Sequence, residues 1–404
     1  MNVNNSNSKI ASFTLLFLPF LAPYRLPGTN TNFQTLFLLL VPVLLFFKGG
    51  HKLLWPNRYM KLFVAYACII PLYGYFLYNN WGSFLSCYVP IITFTFAYLV
   101  FLPFIKWDLI VKYYRKLAVV SIVFFFVQEI MYRIVGWRVV GVLPFMPFTR
   151  IDMSMTEYIS RFSVLSRSAS LFIEPAHFSQ YIAGFLALEL GLLDVEKKFF
   201  NKYVLISTFS LFLTFSGSAY VLAILLWSLH LIKSNVKIVY KIFVVTVGLI
   251  GCIYLMNNFA ETEQGEKIIN RATSLSTQDY GESENIRIYR GWMVYETMPS
   301  TQRIIGIGGS ANISNFINNR GLHVFFDDNE RYVNNAQCLA IGYGYLGVFM
   351  FLIYILSLVN KKRCHSIYYV SIFCILCFFE SFWCTPLMLI YLLLPRINMD
   401  CYDS

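Results

Sequence analysis

Apolar segments that recur along the whole chain constrain its fold more than any other feature. A helix crosses the hydrocarbon core of a bilayer with about 20 apolar residues, and the backbone of each crossing segment must satisfy its own hydrogen bonds. Two pairs, 203–232 and 366–395, each read as a tight hairpin or as one long broken helix, so ten to twelve spans are expected. The predicted spans are 10–24, 33–47, 60–78, 84–105, 117–135, 171–193, 203–216, 219–232, 242–257, 336–359, 366–381 and 383–395.

The composition supports the same prediction. The chain has 404 residues, of which 57% are hydrophobic and 13% are charged, and its mean hydropathy is +0.59. Soluble proteins carry about 25% charged residues, because a surface in water needs them. The sequence therefore predicts an all-α polytopic membrane protein with about twelve transmembrane helices. A soluble enzyme, a nucleic-acid-binding protein and a secreted disulfide-linked scaffold are excluded.

The distribution of positive charge predicts the orientation of the chain. With the amino terminus inside, the short loops on the inner side are rich in lysine, as the positive-inside rule requires. Both termini are then cytoplasmic, and two long loops lie outside. The predicted units are N-terminal spans in 1–135, an outer loop in 136–170, central spans in 171–257, a large helical outer loop in 258–335 and C-terminal spans in 336–404.

The predicted outer loops differ from the inner loops in the kind of cation that they carry. The net charge is +11, and the outer side holds twelve arginines and a single lysine, whereas lysine dominates inside. Arginine presents a rigid fork that grips phosphate or carboxylate at two points, and lysine is a point charge. The outer arginines thus predict a site for a phosphate-bearing anion. Pairing with loop acids or with lipid headgroups is the alternative for many of them.

The segment before the sixth predicted span combines ionisable groups with a helix start. Pro175 suits the first turn of a helix, so Glu174 is expected to cap this helix, with His177 one turn later on nearly the same face. Arg167 lies within reach. A carboxylate, an imidazole and a helix N-terminus together suit anion binding or proton transfer. A helix cap paired with an arginine, beside a packed histidine, is the alternative.

The large outer loop contains a second group of residues with chemical potential. Residues 284–298 read as a helix that ends before Pro299. Arg287 and Arg290 are three residues apart, so such a helix sets them on one face as a two-arginine clamp. Trp292 is placed either to anchor the helix at the membrane interface or to stack on a sugar ring.

Several other polar residues admit a structural interpretation. Asn335 opens the tenth span and serves either a hydrogen bond to a sugar hydroxyl or close helix packing. Glu129 and Arg133 are four apart on one helix and are expected to neutralise each other. Glu189 lies near the inner end of its helix and is expected to snorkel. No metal site is expected.

Four short motifs follow one another between residues 160 and 350. They are Arg167 before Phe172-Ile-Glu174-Pro175, then Leu213-Thr214-Phe-Ser216-Gly217, then Arg290 with Gly306, then Asn335 with Gly344-Tyr-Leu-Gly347. In this order they resemble the pattern of bacterial O-antigen and capsule polymerases of the Wzy type, which belong to the O-antigen polymerase and ligase superfamily. Many members of that family carry Ser-Arg where this chain has Ser216-Gly217.

The resemblance implies a metal-independent glycosyltransferase without cofactors in the bacterial inner (cell) membrane. It implies that a hydroxyl of one undecaprenyl-diphosphate-linked oligosaccharide repeat attacks the anomeric carbon of the growing glycan on the outer face, and that undecaprenyl diphosphate leaves. Membrane lipid, a chain-length regulator and a flippase are the implied partners, and nucleic acid is not one. The expected catalytic residues are Glu174, His177 and Arg290, and the expected diphosphate- and sugar-binding residues are Arg167, Arg287, Arg290, Trp292 and Asn335.

Three other functions compete with this interpretation. The related O-antigen ligases carry a histidine near the end of the large loop, where this chain has Val333-Asn334-Asn335, so a ligase ranks second. Flippases and other transporters usually show internal repeats, midplane charges and short loops, and this sequence shows long charged loops instead. A membrane O-acyltransferase of sugars would need a catalytic histidine that the distribution of histidines does not suggest.

Overall fold

The structure is a computed structural model, and its regular elements are helical throughout the ranges that it describes. These ranges are 5–26, 32–49, 53, 55, 57–143, 146–147, 155–164, 167–234, 241–242, 246, 289–322, 333–360, 363 and 365–397. Within them, Arg25 and Asn32 form an isolated β-bridge but no strand is present. The all-α prediction is therefore confirmed.

Helices of very different length make up this fold. The α-helices are α1 (Asn5–Phe17), α2 (Phe33–Gly49), α3 (Arg58–Tyr78), α4 (Trp81–Phe101), α5 (Trp107–Val135), α6 (Met155–Val164), α7 (Pro175–Glu196), α8 (Lys202–Leu213), α9 (Gly217–Lys233), α10 (Gly291–Glu296), α11 (Ser300–Ile305), α12 (Ile313–Arg320), α13 (Asn335–Leu356), α14 (Ser366–Phe379) and α15 (Pro386–Leu393). Short 3-10 helices cover Leu18–Leu21, Ser310–Asn312 and Leu394–Arg396.

Five of these helices, α3, α4, α5, α7 and α13, are long and apolar enough to cross a membrane. Five shorter apolar helical stretches lie at other predicted spans, namely Phe33–Lys48, Lys202–Leu213, Gly217–Lys233, Ser366–Phe379 and Pro386–Arg396. Most of the predicted span 242–257, and residues 258–288 and 323–332 of the predicted large loop, lie outside the described residues. A membrane protein with several candidate spans is thus supported.

Each of the two ambiguous apolar pairs forms two helices joined by a turn. α8 ends at Leu213 and α9 begins at Gly217, with Phe215 in the left-handed region at φ 50° between them. The indole Nε1 of Trp227 donates to Thr208 Oγ1 at 3.0 Å, which joins the two helices side by side. α14 and α15 are likewise separated by a turn that begins at Glu380.

The helix bundle has two ends of different character. α3 and α5 finish, and α7 and α13 begin, at the end that carries the described residues among 136–174 and 289–334, which we call the loop end. At the opposite end, the ring of His365 stacks on Trp107 with centroids 4.6 Å apart, and Asn57 Nδ2 donates to Ser357 Oγ at 2.6 Å. These contacts join the start of α5 to the start of α14, and the start of α3 to the end of α13, at the end with short connections.

A glycine-rich segment of the large loop inserts between α3, α4 and α13. Gly306, Gly308 and Gly309 all have positive φ, and a Cβ added to Gly306 would lie 2.3 Å from the carbonyl oxygen of Gly342. α13 is itself broken where Gly344 adopts φ 64° and ψ −176°. Only glycine reaches such backbone shapes readily, so these residues allow the two backbones to meet.

Hydrogen bonds fasten this inserted segment at the break in α13. Ile307 N donates to Ile341 O at 3.0 Å. The hydroxyl of Tyr66, within α3, lies 2.6 Å from Ile305 O and 2.9 Å from Tyr343 O. These contacts satisfy carbonyl groups that the helix end and the helix break would otherwise leave open. Part of the predicted outer loop is therefore an integral part of the bundle.

Glu189 does not snorkel, contrary to the sequence expectation. Its side chain is completely buried, and Arg115 grips it with Nε at 2.6 Å and Nη2 at 2.9 Å from the two carboxylate oxygens. Asn201 Nδ2 adds a third hydrogen bond at 3.0 Å. α5 and α7 lie side by side. The carboxylate is therefore neutralised by Arg115 of the neighbouring helix and does not need to reach water.

Candidate functional site

The start of α7 carries two of the predicted site residues at the loop end. Glu174 is the N-cap residue, with φ −137° and ψ 152°, and Pro175 occupies the first helical position. His177 N donates to Glu174 O at 3.1 Å, which closes the first turn. Both side chains are half-buried. The predicted helix start is correct, but the Glu174 carboxylate accepts no capping hydrogen bond from the helix backbone.

Arg167 lies on the irregular segment that leads into α7 and lines a polar cavity. This shallow cavity is also lined by Gln128, Arg138, Ser168 and Ser170. Arg167 is half-buried, whereas Arg138 is 2% exposed. Two arginines therefore line one cavity next to the start of α7, beside the polar side chains of Gln128, Ser168 and Ser170.

Arg138 was not singled out from the sequence, and it is the true partner of Glu129. Its Nη2 lies 3.3 Å from Glu129 Oε1, its Nε donates to Ser168 Oγ at 2.8 Å, and its guanidinium carbon sits 3.7 Å from the centre of the Tyr132 ring. The expected pair of Glu129 with Arg133 is wrong, since Arg133 is exposed. Burial lowers the pKa of Arg138, and the Glu129 carboxylate opposes that shift. The group stays charged at neutral pH because an arginine pKa lies far above 7.

The serine motif of the α8–α9 turn lies against α7. Ser179 Oγ is 3.4 Å from Thr214 Oγ1, and Ser216 Oγ is 3.0 Å from Ser218 Oγ. Ser179 lies about one turn below the start of α7. The structure thus brings the second of the four sequence motifs next to the first, at the same end of the bundle.

Arg290 and Asn335 are far apart in the sequence but lie at the starts of two neighbouring helices, α10 and α13. Arg290 is the half-buried N-cap residue of α10. A Cβ added to the next residue, Gly291, would lie 2.4 Å from the amide of Gln337 in the first turn of α13. α10 ends at Glu296 rather than at 298. Arg287 lies outside the described residues, so the two-arginine clamp stays a prediction.

Trp292 belongs to a small aromatic group on α10. Its half-buried ring meets Tyr295 edge to face, with centroids 6.0 Å apart. Arg303 lies over the other side of this group, 6.0 Å from the Tyr295 ring, and its guanidinium donates to the carbonyls of Met298 and Glu296. Burial raises the pKa of the Tyr295 hydroxyl. Arg303 is therefore a structural arginine, and stacking of Trp292 on a sugar ring stays a prediction.

Asn335 is fully buried and acts as a clasp in this conformation. Its Oδ1 accepts from Phe382 N at 3.0 Å, and its backbone N–H donates to Glu380 O at 2.9 Å. Its amide nitrogen Nδ2 is fully buried, and the side chain lies within hydrogen-bonding reach of the Cys377 thiol. The clasp fixes the start of α13 to the turn between α14 and α15. The predicted hydrogen bond from Asn335 to a sugar hydroxyl stays a prediction that concerns this Nδ2 group.

Contacts across the bundle connect these two groups of residues. The ring of Phe382, beside Asn335, lies 6.5 Å from Tyr391, and the Tyr391 hydroxyl donates to Gln180 O in α7 at 2.6 Å. Gln180 lies less than two turns below Glu174. The starts of α7, α10 and α13 and the α8–α9 turn, which carry the four motifs, therefore belong to one contiguous region.

Neither the arrangement of possible metal ligands nor the comparisons with known proteins identify the reaction that this region could catalyse. Among the residues that the structure describes, no three His, Cys, Asp or Glu side chains are arranged to hold a metal ion. The chain matches none of the protein-family models and none of the curated sequences with which it was compared. The chemistry of the loop end must be argued from its own residues.

Proposed function

We propose that this protein is a Wzy-type polysaccharide polymerase that joins undecaprenyl-diphosphate-linked oligosaccharide repeats on the outer face of the bacterial inner membrane. The observation that carries the proposal is the convergence of four separated motifs on one end of the bundle. Arg167, Glu174 and His177 lie at the start of α7, and Arg290 lies where α10 meets α13. Groups that are able to bind an anion or to transfer a proton thus lie at the loop end.

The proposed reaction needs charge neutralisation more than it needs covalent catalysis. Negative charge develops on the diphosphate as the bond from the anomeric carbon to its oxygen breaks. Fixed arginines can stabilise that charge without a metal ion, because their donors are already oriented in a site that excludes water. We assign this role to Arg290 and Arg287, with Arg167 as an additional phosphate ligand.

The acceptor hydroxyl needs a group that orients it and takes its proton. Glu174 and His177 are the two groups at the start of α7 that can do so, and both are half-buried, so that each can face a substrate at the boundary. We assign the proton transfer to this pair without dividing it between them. Trp292 and Asn335 are the proposed sugar contacts, by ring stacking and through the Asn335 amide.

The proposed topology places the loop end outside the membrane. The full set of twelve spans, with both termini in the cytoplasm, agrees with the lysine-rich short loops at the opposite end, as the positive-inside rule requires. The lipid-linked substrates would then approach the loop end after a flippase has moved them across the membrane.

Substitution of Arg290, the main proposed diphosphate ligand, tests the proposal. Arg290→Ala should abolish extension of the glycan without lowering the amount of protein in the membrane, because one diphosphate ligand is lost. Arg320→Ala is the matched control, since this arginine lies on the same loop but is exposed against the Phe316 ring. Lipid-linked and surface glycans from complemented strains are compared by gel and mass spectrometry. Normal polymer in the Arg290→Ala strain would refute the assignment of Arg290 as a diphosphate ligand.

A further inference from the structure

The segment between α6 and α7 is held in a strained shape next to Arg167. Ser170 is not a glycine, yet it adopts φ 55° in the left-handed region, a conformation that persists in such a residue only where the surrounding structure enforces it. Gln128 enforces it from α5, because its Oε1 accepts from Ser170 N at 2.7 Å and its Nε2 donates to Ser170 O at 3.2 Å. Backbone strain of this kind clusters at functional sites, where the position of the backbone is important for function.

A second contact holds the same segment two residues earlier. Ser168 is 1% exposed, and its hydroxyl accepts the Nε–H of Arg138 at 2.8 Å. Arg138 is itself immobilised by Glu129 and by the Tyr132 ring. Since Ser168 directly follows Arg167, the guanidinium of Arg138 fixes the backbone from which the Arg167 side chain extends.

We infer that Arg138 is a positioning residue for Arg167. Arg138 acts through Ser168 and sets the direction in which Arg167 presents its fork to the anionic group of the substrate. The inference rests on the proposed function of Arg167 as a phosphate ligand, and it adds a residue that none of the four sequence motifs contains.

The arrangement of charge agrees with this role. Arg138 and Arg167 line the same cavity, and two neighbouring cations would repel each other if both were unbalanced. Glu129, 6% exposed, balances Arg138 from within α5. Arg138 can therefore orient the segment without adding a second positive charge that competes for the same anion.

Epistasis between the two arginines distinguishes positioning from simple stabilisation. Arg138→Lys keeps a cation opposite Glu129 but removes the Nε–H that Ser168 accepts. The substitution is made in the wild-type chain and in an Arg167→Lys chain, and the rate of glycan extension is measured with purified protein and lipid-linked repeats extracted from a strain that lacks the gene. Arg133→Lys, at an exposed arginine in the last turn of α5, is the matched control.

Arg138→Lys should slow extension by about tenfold or more in the wild-type chain, because misplacement of a binding group by 1 Å can cost about a hundredfold. In the Arg167→Lys chain the same substitution should cost less than about twofold, because the group that it positions is already altered. Hydrogen exchange should rise in the peptide that contains Ser168 and Ser170. Arg133→Lys should change neither quantity.

Two outcomes would overturn the inference, and they differ from failure of the proposed function. An equal loss of rate in both chains means that Arg138 only stabilises the fold. Unchanged hydrogen exchange around Ser170 means that Arg138 does not hold the segment. Absence of any extension by the wild-type protein, with folded protein and intact substrate, would instead reject the proposed function itself.

Discussion

Replacing Arg115 should destabilise the bundle more than replacing Glu189, although the two residues form one ion pair. The Glu189 side chain is 0% exposed and the Arg115 side chain is 30% exposed. In the Arg115→Met variant a carboxylate stays buried without its cation, whereas in the Glu189→Met variant the guanidinium can turn to water. The two substitutions should therefore lower the free energy of unfolding by different amounts.

The magnitudes follow from the burial and the remaining contacts. Two unit charges 4 Å apart attract by about 4 kcal/mol at an effective dielectric constant of 20, and removal of one partner of a buried pair costs about 3–5 kcal/mol. Because Asn201 still donates to Glu189 at 3.0 Å, we expect a loss near the lower limit, about 3 kcal/mol, for Arg115→Met. For Glu189→Met we expect about 1–2 kcal/mol, because the exposed part of Arg115 is already solvated.

The assay is equilibrium unfolding of the detergent-solubilised protein by titration with a denaturing detergent, followed by tryptophan fluorescence. Lys112→Met, an exposed cation one turn from Arg115, is the control and should change the unfolding free energy by less than about 0.5 kcal/mol. The Arg115→Met/Glu189→Met double variant should regain most of the stability, because no buried charge is left alone. A double variant that loses the sum of the two single losses would refute the reasoning.

Two further predictions concern the break in α13 and the short-loop end. Tyr66→Phe removes the hydroxyl shared by Ile305 O and Tyr343 O and should lower the unfolding free energy by about 1–3 kcal/mol, and an unchanged midpoint in the same titration would contradict this role. Burial lowers the pKa of His365 to about 4, against about 6.5 in an unfolded chain. The unfolded state therefore binds a proton between these values and the folded state does not, so stability should fall by up to roughly 3 kcal/mol as the pH drops from 6.5 to 4. Unfolding titrations across this range should show that His365→Gln removes that slope, and a slope that persists would contradict the assignment.

Hydropathy and local signals predicted several of the helices. The predicted span 60–78 is close to α3 at Arg58–Tyr78, and Pro175 marked the start of α7 to the residue. Such features depend on the composition of one continuous segment and on its own hydrogen bonds. They can therefore be read without knowing what the segment packs against.

Partners across helices could not be predicted in the same way. Helical spacing suggested Arg133 as the partner of Glu129. However, α5 ends at Val135 and its C-cap Gly136 has φ 71°, so the chain leaves the helix and brings Arg138 to the carboxylate. The insertion of Gly306–Gly309 beside Gly342 likewise depends on two glycine segments far apart in sequence. Only the three-dimensional arrangement shows that the loop is part of the bundle.

Mass spectrometry of lipid-linked and surface glycans from a strain that lacks this gene tests the proposed polymerase most directly. If the protein is the polymerase, single repeat units accumulate on undecaprenyl diphosphate, long chains disappear, and the wild-type gene restores them. Full-length chains held on undecaprenyl diphosphate would assign the protein as a ligase, and repeats retained on the inner face would assign it as a transporter. Unchanged glycans in a strain that makes the polymer would refute the proposed polymerase function.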